Sequence, residues 1–103
     1  MRKIINGKLY DTNKAKLVAS VGNGYYGNDF HRCVEDLYRT SKGAWFLHGE
    51  GGPLSKYGKQ HGSTKCGSSE LRSMETDEVV EWLENHNRTD ALLEYFPDRI
   101  EEA

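Results

Sequence analysis

The spacing of apolar residues after Met74 constrains this chain most, because it predicts an amphipathic helix near the end. Four residues recur at i, i+3, i+4 and i+7 and so share one helical face: Val79, Trp82, Leu83 and His86. Residues 75–78 supply acids and a cap candidate, which suits the positive end of a helix dipole. Met74 and Val79 have the spacing of a hydrophobic staple.

A second, shorter helix is predicted after a break at residues 86–88. Thr89 is placed to cap it, and Pro97 is placed to end it. Four residues of this segment are expected to pack against a sheet: Leu92, Leu93, Tyr95 and Phe96. Residues 98–103 are expected to fray.

The residues before the helices predict strands and turns. Asn6-Gly7 lies between two short β-prone runs and accepts positive φ at both positions, which indicates a tight hairpin. Lys14–Val21 is assigned to a strand. Phe30–Arg39 and Ala44–His48 flank a turn at residues 40–43 and predict a long hairpin, with a bulge near Val34.

The segment between that hairpin and the first helix is assigned mainly to irregular structure. Residues 49–53 are expected to be irregular, with glycines that allow close packing against another backbone. Leu54–Gln60 is read as one short helical turn, residues 61–69 as a polar loop, and Glu70–Ser73 as a short strand.

Strands followed by helices predict an α+β fold, a small antiparallel sheet packed by two acidic C-terminal helices. The N-terminal hairpin and the long central hairpin are expected to form the sheet. With 103 residues and no linker or repeat, residues 1–103 are read as a single domain. Residues 1–74 are its basic part, mainly β and loops, residues 75–97 its acidic helical pair, and residues 98–103 its frayed tail.

The charge of the chain divides at residue 75. Residues 1–74 carry twelve Lys/Arg and six Asp/Glu, a net charge of +6, whereas residues 75–103 carry two and ten, a net charge of −8. Such a split creates opposed surface fields if the two parts form different faces. The alternative is that the acids are simply the solvated faces of two helices.

Composition favours a cytoplasmic protein. No run approaches the ~18 apolar residues of a membrane helix, and the first residues turn polar after Ile4-Ile5, too soon for a signal peptide. Cys33 and Cys66 are expected to be free, buried thiols. We therefore expect no membrane partner and a location in the cytoplasm of the cell.

The motifs do not predict an enzyme, a metal site or a cofactor. His31 and Cys33 lack the Cys-x-x-Cys spacing of structural zinc. Residues 49–53 continue into a proline and lack the Gly-Lys-Ser/Thr of a phosphate loop, so no small-molecule substrate is expected either. A small hydrolase or nuclease built around His31, His48 and Glu50 is kept as the last alternative.

Two sets of residues are candidate binding surfaces. Carboxylates on a helix can occupy a groove that normally holds nucleic-acid phosphates, which assigns a partner-binding role to Glu75, Asp77, Glu78, Glu81 and Glu84. Cations neutralise phosphates and aromatic rings stack on bases. This assigns a partner-binding or RNA-binding role to Tyr25, Tyr26, Arg32, Arg39, Lys42, Lys56 and Lys59.

Several segments resemble a group of short proteins found on phages, plasmids and integrative elements of Gram-positive bacteria. The segments that carry the resemblance are Lys3–Thr12, Glu35–Thr40, Trp45–Pro53, Ser55–Tyr57 and the acidic helix around Trp82. The likeness covers nearly the whole chain. Proteins in that setting include anti-CRISPR inhibitors and other counter-defence factors, and the resemblance implies no catalytic residues.

The leading hypothesis is therefore a mobile-element inhibitor of a host defence system. Its most specific form is an anti-CRISPR protein that binds an RNA-guided nuclease, with a type II effector favoured, or its guide RNA. The partner is then a protein, with RNA or DNA contact as a further option. The alternative is a nucleic-acid-binding accessory or regulatory protein of a mobile element.

Overall fold

The fold is built on short strands, which a computed structural model describes for residues 1–26 and 29–103. The strands are β1 (Arg2–Ile5), β2 (Lys8–Asp11), β3 (Lys16–Gly22), β4 (Cys33–Arg39), β5 (Trp45–Gly51), β6 (Lys59–His61), β7 (Thr64–Cys66) and β8 (Ser68–Met74). The helices are α1 (Thr76–Asn85) and α2 (Thr89–Tyr95), followed by a 3-10 turn at Pro97–Arg99.

Four antiparallel strands form the central sheet in the order β3-β4-β5-β8. The β4–β5 hairpin lies at its centre, with Arg39 opposite Trp45 at one end and Cys33 opposite Gly51 at the other. The strands β1–β2 and β6–β7 form two separate hairpins. This arrangement confirms the predicted α+β fold with an antiparallel sheet, and it confirms the Asn6-Gly7 turn, whose φ angles are +52° and +77°.

The two faces of the central sheet are covered by different elements. On the helix face, Leu37 and Leu47 of the sheet pack with Val79, Trp82 and Leu83 of α1. Leu37, Val79 and Leu83 are fully buried, and each such side chain stabilises the fold by about 1.5–3 kcal/mol. The helix face therefore holds the main core and anchors α1 to the sheet.

On the opposite, hairpin face, β1–β2 covers a second and smaller apolar cluster. Phe46 stacks on Tyr38 with ring centroids 5.1 Å apart, and Tyr10 from β2 makes a T-shaped contact with the same phenyl ring, with centroids 5.5 Å apart. Leu71 completes this cluster and is fully buried. The N-terminal hairpin is thus a cover on the central sheet and not one of its strands, which corrects its predicted place in the sheet.

The strand β5 runs through Gly51, so the expectation that residues 49–53 are irregular is wrong for the first three of them. Gly51 pairs with Cys33 on one side and Ser68 on the other, and these pairings extend the ladder beyond His48. The expected close packing against another backbone is confirmed. A Cβ on Gly52 would lie 2.5 Å from the carbonyl oxygen of Phe30.

Other local predictions are wrong in position. The register shift lies in β3, between Leu17 and Ala19, and not near Val34. Residues 54–60 form turns and the start of β6, and the polar loop predicted at 61–69 contains β7 and the start of β8. The segment forms strands and not a loop because Gly62-Ser63 is a two-residue turn that joins β6 to β7, and Gly62 has a φ of +63° in it.

The predicted first helix is confirmed in detail. Glu75 is its N-cap, and Glu75 and Glu78 form a capping box in which the Glu78 carboxylate accepts the Glu75 N–H at 3.0 Å. Met74 and Val79 are both buried in the core, as the staple predicts. The residues described include no helix of the length and apolarity that crossing a bilayer requires.

The second helix differs from its prediction at three points. Its N-cap is Arg88, so Thr89 is its first residue and not its cap. Leu92 is buried as predicted, but Leu93 faces solvent. Pro97 begins a 3-10 turn, and Arg99 of that turn lies 2.6 Å from the Asp77 carboxylate of α1, which ties part of the predicted frayed tail to the helix.

Candidate interaction surfaces

The solvent side of α1 and its cap carries five carboxylates, which we call the acidic face. Because Val79, Trp82 and Leu83 turn towards the sheet, the opposite side of the helix is exposed. The acidic face comprises Glu75, Asp77, Glu78, Glu81 and Glu84, all of them exposed. The structure therefore brings together the five acids that the sequence assigns to partner binding.

Three of these acids already have partners within the protein. The guanidinium of Arg72 lies 2.9 Å from the Glu78 carboxylate, and Arg99 pairs with Asp77. A backbone hydrogen bond from Glu75 and the contact with Arg72 lower the pKa of Glu78. Glu75 contributes its own carboxylate to the capping box.

Glu81 and Glu84 are the unpaired acids of the acidic face. Among residues 1–26 and 29–103, no Lys, Arg or His nitrogen lies within 4.0 Å of either carboxylate. They are three residues apart on a helix and are therefore surface neighbours. The negative potential of the acidic face is thus concentrated at this pair.

The seven residues assigned to a basic and aromatic surface do not form one surface. Arg32 and Lys56 lie near the start of β4, whereas Arg39 and Lys42 lie at its end. Seven strand residues span roughly 20 Å at about 3.3 Å each. Lys59 lies on the β6–β7 hairpin, outside the central sheet. The prediction fails because it grouped residues by sequence density and took no account of strand length.

Near the start of β4, the cations are paired with acids. Arg32 lies 3.4 Å from the Glu50 carboxylate, and the Lys56 ammonium lies 2.8 Å from that of Glu35. Tyr25 and Tyr26 are exposed, and the Tyr25 ring lies 5.5 Å from that of His31. This end of the sheet is therefore aromatic and polar, with its positive charge largely neutralised.

The carboxylate of Glu35 is the one charged group that the described part of the chain buries, with only 6% of the residue exposed. Tyr57 and Lys56 donate to one oxygen, and the Trp82 indole donates to the other at 3.3 Å. No local sequence signal predicts this cluster, because Trp82 lies 47 residues from Glu35 along the chain. The cluster joins the sheet, α1 and the loop before β6.

The hydrogen bonds of this cluster keep the Glu35 carboxylate ionised, which does not suit a proton-transfer group. Burial by itself raises the pKa of Glu35, but the hydrogen bonds from Lys56, Tyr57 and Trp82 outweigh it and the pKa is lowered. Burial and the bond to Glu35 raise the pKa of Tyr57, which keeps its hydroxyl protonated. Both groups hold one protonation state near neutral pH, which suits a structural tie.

A cleft of about 580 Å³ opens beside Glu35, lined by His31, Cys33 and His86 among others. Burial and the Glu35 charge raise the pKa of the Cys33 thiol, which disfavours the nucleophilic thiolate. Cys33 and Cys66 are both free, as predicted, but Cys33 is only half-buried and Cys66 is exposed, so the predicted burial is wrong. In the described ranges, no three His, Cys, Asp or Glu side chains converge as metal ligands.

The three residues of the hydrolase alternative occupy different settings. His31 lines the cleft beside Cys33, whereas Glu50 lines a separate one and is held by Arg32. His48 lies mid-strand in β5 opposite Asp36 and Leu71. The structure does not bring the three together as a catalytic group.

At the far end of β4, Arg39 lies against two aromatic rings. Its guanidinium carbon is 5.2 Å from the ring centroid of Trp45 and 5.3 Å from that of Tyr95. Its Nε is buried and has no hydrogen-bond partner in the part of the chain that the structure describes. Lys14 and Lys16 line the same cleft as this arginine, and Lys8 lines a second cleft beyond Thr40 and Ser41. None of these three lysines was assigned to a surface from the sequence.

Comparisons of the chain with protein-family models, with curated proteins and with solved structures each give no match.

Proposed function

We propose that this protein is a mobile-element inhibitor of a host defence system, most specifically an anti-CRISPR protein that binds an RNA-guided nuclease. A type II effector is the favoured target. The observation that carries the proposal is the unpaired pair Glu81 and Glu84, exposed on a helix whose other side is buried. The resemblance to proteins of mobile elements, stated above, supplies the setting.

The chemistry of the target supports this role for the acidic face. RNA-guided nucleases hold their heteroduplex in a positively charged channel and read an adjacent DNA motif with arginines. Carboxylates held at neighbouring helical positions present negative charge to such arginines, as phosphates do. Complementary charge also accelerates the encounter between two proteins and suppresses wrong partners.

The anchoring of α1 supports the same role. Trp82 and Leu83, which lie between Glu81 and Glu84 in sequence, are buried against the sheet. The Trp82 indole is also bonded to Glu35. A surface that is already ordered loses little conformational entropy on binding, so more of its interaction energy contributes to affinity.

The test is target cleavage by a purified RNA-guided nuclease, measured at increasing concentrations of this protein. The wild type is compared with Glu81→Lys/Glu84→Lys and with Glu101→Lys/Glu102→Lys, which changes the net charge equally but lies outside the helices. We expect the first variant to need a roughly tenfold or higher concentration for half-inhibition, and the second to match the wild type.

Two results would contradict the proposal. Unimpaired cleavage by nucleases of several types, at every protein concentration, would exclude the inhibitor role. Equal loss of inhibition in both double variants would show that net charge acts at long range and would exclude the acidic face as the contact surface.

A further inference from the structure

Cationic side chains surround the turn at residues 40–43, at the end of the central sheet that lies far from Glu35. Two clefts, of about 390 and 480 Å³, lie on either side of this turn and share Thr40 and Ser41 in their linings. The cationic residues of the two linings, which we call the turn cluster, are Lys8, Lys14, Lys16, Arg39 and Lys42.

The turn cluster has a large excess of positive charge. Among the described residues that line the two clefts, Glu94 is the one acid, and it lies 3.8 Å from Lys16 on the surface. No carboxylate oxygen lies within 4.0 Å of Arg39 in the described part of the chain. This contrasts with Arg32, Lys56, Arg72 and Arg99, each of which is paired with an acid.

The one arginine of the turn cluster, Arg39, is held in place without an anionic partner among the described residues. Stacking against Trp45 and Tyr95 fixes the plane of the Arg39 guanidinium. The turn also packs closely against this guanidinium, because a Cβ on Gly43 would lie 3.4 Å from Arg39 Nη2. A planar guanidinium fixed by stacking is suited to bidentate recognition of a phosphate group.

We infer that the turn cluster binds the phosphodiester backbone of a nucleic acid. The cations lie in two clefts on either side of a turn and do not converge on one point, which suits a chain of phosphates better than a single anion. The exposed Ser41 adds a hydroxyl donor. Contacts of this kind do not read the base sequence, so binding is independent of sequence and falls steeply with salt.

This site is independent of the proposed inhibitor function. The acidic face lies on α1, whereas the turn cluster comes from β2, β3, β4 and the segments after β2 and β4. Nucleic-acid binding is measured on the protein alone, without a nuclease. Failure of one proposal is therefore distinguishable from failure of the other.

The test is fluorescence anisotropy of short labelled single-stranded RNA, single-stranded DNA of the same sequence and duplex DNA, over a series of salt concentrations. Lys14→Gln/Lys42→Gln removes two exposed cations of the cluster. For single strands, we expect the slope of log K against log salt to shrink by about 1.4, since each neutralised phosphate contributes about 0.7.

The matched control is Lys65→Glu on the β6–β7 hairpin, which changes the net charge by the same amount at a distant place. We expect it to bind as the wild type does. Equal weakening by both variants, or no binding of any of the three probes at low salt, would overturn the inference. A labelled polyglutamate that binds as tightly as RNA would also overturn it, because the site would then select acidic protein segments.

Arg39 is tested separately with Arg39→Lys, which keeps the charge but removes the planar fork. We expect several-fold weaker binding of the single-stranded RNA with the salt slope retained. A thermal melt checks that the variant folds, and Lys14→Gln/Lys42→Gln tests the cluster even if Arg39→Lys does not fold. Unchanged affinity in a folded Arg39→Lys variant would exclude bidentate phosphate recognition by this residue.

Discussion

The phenol of Tyr57 crosses the sheet above Gly49, and its hydroxyl donates a hydrogen bond to the carboxylate of Glu35. The absence of a side chain at Gly49 makes this possible, because a Cβ there would lie 1.9 Å from the phenol oxygen. Glycine within a strand commonly marks such a close approach. The pair connects the loop before β6 to the centre of the fold.

Replacing Tyr57 by phenylalanine should destabilise the protein by about 1–3 kcal/mol, because a buried carboxylate loses one of its donors. Urea denaturation followed by tryptophan fluorescence measures the change in the free energy of unfolding. Tyr26→Phe is the control, since Tyr26 is 86% exposed and its hydroxyl should contribute nothing measurable. Equal stability of the two variants would show that the Tyr57–Glu35 bond adds no net free energy.

Gly49→Ala should destabilise the protein by about 1–3 kcal/mol, because the new methyl group displaces the Tyr57 ring from Glu35. In a Tyr57→Ala background the ring is absent, so the same change should cost much less. The double-mutant cycle, measured by urea denaturation, gives the coupling between the two positions. Gly22→Ala is the control, since its Cβ would lie 4.0 Å from its nearest neighbour. Additive effects would contradict the proposed steric link.

Local sequence patterns predicted the elements that depend on neighbouring residues. Asn6-Gly7 forms its turn with positive φ at both residues, and the staple and apolar spacing place α1 correctly. These features succeed because backbone preference and helical period act over a few residues. Strand pairing at Gly51 depends on partners distant in the chain, and no local pattern reports them.

The candidate surfaces also divide into one that local sequence predicts and one that depends on residues distant in the chain. The acidic face was predictable, because its carboxylates share one helix and the helical period fixes their side. The basic set was not, because strand β4 separates Arg32 from Arg39 and the fold brings Lys14 and Lys16 into the cleft that Arg39 lines instead. Residues at the ends of neighbouring antiparallel strands meet at the same end of a sheet. The order of the strands, and not the local sequence, therefore indicates the turn cluster.

Leu92 and Leu93 are adjacent in α2, but their burial predicts very different mutational effects. Leu92 is 8% exposed and packs in the main core, whereas Leu93 is 52% exposed. Leu92→Ala should cost about 2–5 kcal/mol of stability, and Leu93→Ala should change it by less than about 0.5 kcal/mol. Thermal melts of the two variants measure the difference. Similar losses would show that α2 is rotated about its axis relative to the sheet.

Acidification should destabilise the protein partly through Glu35. Its pKa is lowered in the folded state relative to the ordinary value of 4.5, so the unfolded chain binds this proton more readily. Its stabilising contribution is therefore complete well above pH 4.5, and it is lost as the pH falls from there through the folded-state pKa. Glu78, whose pKa is also lowered, contributes in the same direction.

Glu35→Gln isolates the contribution of this one residue, because Glu78 and the other acids still titrate in the variant. We expect the variant to be less stable than the wild type at neutral pH, since Lys56 loses its anionic partner. The gap in stability between the variant and the wild type should narrow as the pH falls below 4.5, because protonated Glu35 resembles glutamine. Melting temperatures of both proteins between neutral and acidic pH measure the gap. A gap that stays constant or widens on acidification would show that Glu35 has no lowered pKa in the folded state.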